Sequence, residues 1–131
     1  MTQELTALVL AILLGFAHLF AAGNAGRQSR GFKWNAGPRD ATVPPLTGVA
    51  GRLDRAFRNY LETFAFFAAA ALIAHLANRH NALTVNGAWL YLIARVIYLP
   101  LYAAGIPMIR SLVWLAAVGG IFMILAGLYF P

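Results

Sequence analysis

The sequence predicts an all-α integral membrane protein, a bundle of four transmembrane helices. Three observations point there. The chain of 131 residues is 61% hydrophobic and only 11% charged. Its apolar residues fall into four stretches, each near the roughly 20 residues that cross a hydrocarbon core. Seven of the ten basic residues (Arg27, Arg30, Lys33, Arg39, Arg52, Arg55 and Arg58) lie between the first stretch and the apolar part of the second. Four spans use about 80 residues, which leaves too few for a separate soluble domain, so residues 1–131 are expected to form one membrane unit. The chain has no cysteine, which excludes disulfides, thiolate metal sites and a cysteine nucleophile. A net charge of +6 would suggest nucleic acid for a soluble protein; here it reads as a topology signal, and no nucleic-acid partner is expected.

The first span is expected over 5–22, interrupted only by Thr6 and His18. Glu4 precedes it and the positive charges follow it, the pattern of an uncleaved span with its N-terminus outside rather than of a signal peptide. Residues 23–53 read as a loop, punctuated by Gly23, Gly26, Gly31, Gly37-Pro38, Pro44-Pro45, Gly48 and Gly51. Its charge places it in the cytoplasm. The second span is expected over 54–78. Its wholly apolar part, 63–74, is too short to cross alone, so the polar stretch 55–62 must continue the same helix. Residues 78–81 form an outer turn, 82–104 the third span with Pro100 inside it, and Gly105-Ile106-Pro107 a tight turn back. The fourth span is expected over 111–130, where Ala116 and Gly120 form a small-xxx-small pair that admits a close neighbour. Both termini then lie on the outer side.

Two polar stripes stand out in this apolar chain. Arg55, Asn59 and Glu62 fall at i, i+4 and i+7 on one helix, and Arg95, Tyr98 and Tyr102 at i, i+3 and i+7 on another. A charge near membrane depth costs about 2.5–3.5 kcal/mol on insertion scales, so it is seldom kept without a partner or a task. A pocket between the stripes would offer guanidinium groups for carboxylates, a carboxylate for an ammonium, and a carboxamide for peptide groups. The complement is a zwitterionic, peptide-like anion.

The stretch from Arg52 to Glu62, RLDRAFRNYLE, resembles the R-x-x-R-A-x-x-N-x-x-E signature of the membrane-associated proteins in eicosanoid and glutathione metabolism, the MAPEG family. The stretch from Arg95 to Tyr102, RVIYLPLY, is similar to that family's third-helix motif. Gly51 departs from the pattern, standing where many members carry glutamate. The resemblance implies a homotrimer that binds glutathione as co-substrate between subunits at the cytoplasmic side, and acts as a transferase or peroxidase on a lipophilic electrophile. It implies glutathione-binding roles for Arg55, Asn59, Glu62, Arg95, Tyr98 and Tyr102, with Arg52 in the same motif and Arg27 or Arg30 as the basic residue ending the first helix. Arg110 resembles the arginine that activates the thiol. A chain this short looks like a bacterial member, set in the inner membrane with periplasmic termini.

Structural readings compete with these. Glu62 and Arg95 would serve equally as an ion pair locking two helices in a non-enzymatic protein, such as a small transporter or an assembly factor. Arg52, Arg58 and Arg110 would serve as interfacial anchors, Tyr98 and Tyr102 as packing, and Trp34, Trp89 and Trp114 as interfacial aromatics. His18 and His75 lie on different spans with no carboxylate at ligand spacing, so no metal site is expected.

Overall fold

A computed structural model describes residues 1–40 and 42–130; Ala41, in the expected loop, and Pro131 lie outside the described residues. Five helices follow one another: α1 (Gln3–Arg30), α2 (Phe32–Ala36), α3 (Gly48–Leu76), α4 (Ala82–Ala103) and α5 (Pro107–Gly127). The four long ones are apolar and long enough to cross a membrane, and the described residues contain no strand. They run up and down, with α1 against α3 and α4, and α5 against α4 and α3. The protein is an all-helical integral membrane bundle.

Three boundaries differ from the sequence reading by more than three residues. The first helix runs on through Gly23 and Gly26 to Arg30, about two turns beyond the expected end. Interior glycines weaken a helix by only about 1 kcal/mol each, and no proline interrupts this stretch. The helix stops at Gly31, whose φ of +91° suits glycine and whose N–H returns to Arg27 O. The second long helix starts at Gly48 rather than Asp54, directly after the Pro44-Pro45 pair and the extended Thr47. Gly51 is no breaker here, because a Cβ on it would lie 2.5 Å from Leu46 O. Of the expected loop of 23–53, the described residues outside helices are Gly31, 37–40 and 42–47. The last helix likewise starts early, at Pro107, whose fixed φ suits a first helical position, so Arg110 sits in its first turn and not ahead of it.

At 1.5 Å per residue α1 and α3 are roughly 42–43 Å long, and α4 and α5 roughly 32–33 Å. With a hydrocarbon core of roughly 30 Å, the excess of the longer pair emerges at one end. That end carries Arg27, Arg30, Arg52 and Arg55.

The core is built of small residues with a few rings among them. Ala7, Ala11, Ala70, Ala71, Ala74, Ala88 and Ala117 are fully or almost fully buried, and the Phe67 and Tyr91 rings stack at 4.1 Å. The α4–α5 pair approaches closely at Gly87 and Gly120, where a Cβ on either glycine would lie 2.5 Å from the other's carbonyl oxygen. Gly120 thus admits α4, as the small-xxx-small spacing anticipates. Large apolar side chains, among them Phe16, Phe20, Phe66 and Phe122, face outward from the long helices. At the end opposite Arg27 and Arg30, Asn81 caps α4 in a capping box with Thr84, and its amide donates to Gly127 O at 2.8 Å and Phe130 O at 3.1 Å.

Candidate functional site

The helical spacing of the two stripes brings one part of each together. Asn59 on α3 accepts a hydrogen bond of 2.8 Å from Arg95 Nη1 on α4. Arg95 is fully buried, with its guanidinium carbon 4.1 Å from the Tyr98 ring centroid and 5.2 Å from that of Tyr60. The cation is therefore held between aromatic faces. Its Nε and Nη2 atoms are buried without a hydrogen-bond partner.

One turn nearer the end of α4, the Tyr102 ring meets Tyr98 at 5.6 Å and carries Arg110 of α5 4.5 Å from its centroid. Three helices thus line an open cavity of about 420 Å³, bounded by Asn59, Tyr98, Tyr102, Arg110, Ser111, Trp114 and Leu115. Its size falls within the roughly 300–1,000 Å³ usual for small-molecule sites. One carboxamide, two phenols, a guanidinium and a hydroxyl share its walls with the Trp114 and Leu115 side chains.

The other expected residues lie elsewhere. Arg55 and Glu62 are exposed on α3. Glu62 forms no ion pair with Arg95, whose side-chain hydrogen bond goes to Asn59 instead. It borders a second cavity, of about 540 Å³ and otherwise mostly apolar, that lies between α3 and α5 and shares Trp114 with the first. Arg52 donates from Nε to Ala103 O at 2.8 Å, satisfying a carbonyl in the last turn of α4 and tying that helix to the start of α3. Arg27 bonds Asn24 at 2.7 Å, while Arg30 reaches Pro44 O at 3.3 Å and stacks on Trp34. Both belong to the α1 side of the subunit, and α1 makes no packing contact with α5.

Sequence reasoning missed Ser111, Trp114 and Leu115 as site residues. With Arg110 they occupy positions i, i+1, i+4 and i+5 of α5, one face of the helix. Trp114 had a local explanation as an interfacial aromatic, yet its indole Nε1 is buried with no partner. The signal was its spacing from Arg110, visible only once α5 is started at Pro107.

The MAPEG family model matches residues 5–130, nearly the whole chain. The chain belongs to the MAPEG family. No curated protein and no solved structure matches it. MAPEG membership accords with the four apolar helices, and the two stretches that resemble the family's motifs supply Arg95 and three residues of the cavity wall, Asn59, Tyr98 and Tyr102.

Proposed function

We propose that this MAPEG protein binds glutathione in the cavity between α3, α4 and α5 and uses its thiolate against a lipophilic electrophile. The observation that carries the reading is the convergence of Asn59, Tyr98, Tyr102 and Arg110 on one cavity, with the buried Arg95 directly behind Asn59. Arg95 and Arg110 supply fixed positive charge for the carboxylates and the sulfur of an anionic tripeptide, and Asn59 offers its remaining hydrogen-bonding capacity to peptide groups. Arg110 stabilises the thiolate. A thiol ordinarily titrates near ~8.5, and lowering that by about two units takes roughly 2.7 kcal/mol of preferential thiolate stabilisation. A guanidinium in a partly desolvated wall is of the right order. The sulfur then forms a bond to the electrophilic carbon, and either that carbon expels its leaving group or the electron pair displaced onto a neighbouring atom takes up a proton. The mostly apolar cavity that shares Trp114 offers a route for a substrate dissolved in the bilayer.

The protein would work as a homotrimer in a bacterial inner membrane, with the arginine-rich end in the cytoplasm and both termini periplasmic. Seven of its ten basic residues at that end support the orientation. In the trimer, exposed Arg55 and Glu62, together with Arg30, would complete the site from neighbouring subunits. Arg52, bound to Ala103, and Arg27, in a different groove, are not assigned to glutathione. A non-enzymatic protein locked by a Glu62–Arg95 pair draws no support from the side-chain geometry, because Glu62 is exposed and Arg95 bonds Asn59.

Purified protein titrated with glutathione should show a raised melting temperature and thiolate absorbance. Arg110→Gln should remove the absorbance while keeping most of the melting shift. A variant that retains full thiolate absorbance refutes the role given to Arg110.

A further inference from the structure

A second basic feature, built on Arg27 and Arg39, lies on the other side of the subunit from the cavity that Arg110 lines. The end of α1 and the segment after α2 enclose a groove of about 550 Å³, lined by Leu19, Phe20, Gly23, Asn24, Arg27, Asn35 and Arg39. Its two halves differ in chemistry. One half is apolar, formed by Leu19 and Phe20, the latter 66% exposed. The other half holds two guanidinium groups, and both are pinned. Arg27 Nη2 donates to Asn24 Oδ1 at 2.7 Å. Arg39, whose φ of +62° is unusual for a residue other than glycine, folds back so that Nε and Nη2 donate to Asn35 O at 3.0 and 2.9 Å. The same guanidinium covers the Trp34 ring at 5.6 Å, and Arg30 lies over that ring at 4.7 Å.

Neither Arg27 nor Arg39 has a carboxylate at ion-pair distance among the described residues; Asp54 is taken by Arg58 at 3.1 Å. No ion pair among the described residues neutralises either of them. From Phe20 to Arg27 the helix rises roughly 10 Å, so the apolar half lies just below the headgroup level that the arginines reach. An occupant must carry an anionic head at Arg27 and Arg39 and a hydrocarbon tail beside Leu19 and Phe20.

We propose that this groove is a binding site for an anionic phospholipid, with the phosphate on Arg27 and Arg39 and an acyl chain along Leu19 and Phe20. Such a lipid would hold the segment after α2 at the membrane surface and neutralise the groove. The site stands apart from the cavity containing Arg110, so it does not depend on the glutathione reading.

The test uses the full chain in a neutral detergent, titrated with phosphatidylglycerol or with phosphatidylcholine of the same acyl chains. Tryptophan emission reports binding, and Trp34→Phe shows which indole carries the signal. Phosphatidylglycerol should bind about thirtyfold more tightly, the gain expected of two interfacial arginines. The double variant Arg27→Gln with Arg39→Gln should lose that preference while its glutathione titration stays unchanged. Phe20→Ala should weaken both lipids alike. Equal binding of the two lipids overturns the proposal, as does a double variant that keeps the preference or a Phe20→Ala variant that binds both lipids as tightly as the wild type. Displacement of the lipid by inorganic phosphate at equal concentration overturns it in favour of a small-anion site. Loss of the preference together with a change in particle mass overturns it in favour of a surface between copies of the chain.

Discussion

At the end of the bundle opposite the arginine-rich end, Glu4 is 1% exposed and closed off: Thr84 donates to its carboxylate, and His80 Nδ1 lies 3.2 Å from the same oxygen. At the other end Arg95 is fully buried, yet it makes one side-chain hydrogen bond and leaves two nitrogens without partners beside an open cavity. Both are single charges in an apolar bundle, and both would be expensive if unpaired. Glu4 has its partners on α4 and in the turn before it, so it ties α1 to the start of α4. Arg95 retains donor capacity that its own subunit does not use. Burial with satisfied bonds marks a clamp; burial with spare donors next to a cavity marks a place for a ligand or water.

The contrast can be broken most sharply at Arg110. Arg110→Gln should lower glutathione-dependent turnover by about 100-fold, the scale of removing one charge-stabilising donor from a reaction centre, with little change in thermal unfolding. A parallel loss of stability would make it a helix anchor. The next effect belongs to the opposite end. Glu4→Ala should destabilise the protein by about 1–3 kcal/mol in thermal unfolding, because it removes the acceptor shared by Thr84 and His80, and glutathione affinity should not change. A Glu4→Ala variant that melts like the wild type would show that the clamp carries no stability.

Asn59→Ala should cost less stability than Glu4→Ala, about 1 kcal/mol, since Arg95 already has two unpartnered nitrogens and one more adds a smaller increment. A larger loss than at Glu4 would mean that Arg95 is a structural lock after all. The smallest effect is expected at Tyr102. Tyr102→Leu removes the ring beneath Arg110 and should weaken transition-state stabilisation by about 0.5–1 kcal/mol, whereas Tyr102→Phe keeps the ring and should stay within twofold of wild-type turnover. Equal losses in the two variants would assign the effect to the hydroxyl.

Much of this architecture is legible in the amino-acid order, because a membrane span has one dominant signal, its length of apolar residues. Helical periodicity also put Asn59 with Arg55 and Tyr98 with Tyr102. It could not say which members of a stripe meet the other helix. Asn59 faces Arg95 while Arg55 and Glu62, on the same stripe, are left exposed, because the rotation of α3 is set by small residues such as Ala56, Ala70 and Ala74 packing inward. Opposite charges in Glu62 and Arg95 invite a pairing that this rotation does not make. The loop was overdrawn for a different reason. Gly23, Gly26, Gly48 and Gly51 read as punctuation, whereas Gly23 and Gly26 are tolerated within α1, Gly51 serves a close approach to Leu46, and Gly48 alone, at φ +60°, marks a helix start. The cavity wall on α5 was hidden by a helix start placed four residues late.

The most direct check is a calorimetric titration of glutathione into wild-type protein and into Asn59→Ala and Glu4→Gln, all in the same detergent. Saturable binding by the wild type, retained by Glu4→Gln and weakened about tenfold in Asn59→Ala by the loss of a hydrogen-bonding group at a charged ligand, is the result expected of a ligand cavity at the arginine-rich end. Absence of saturable binding in the wild type, or equal affinity in all three proteins, would contradict it.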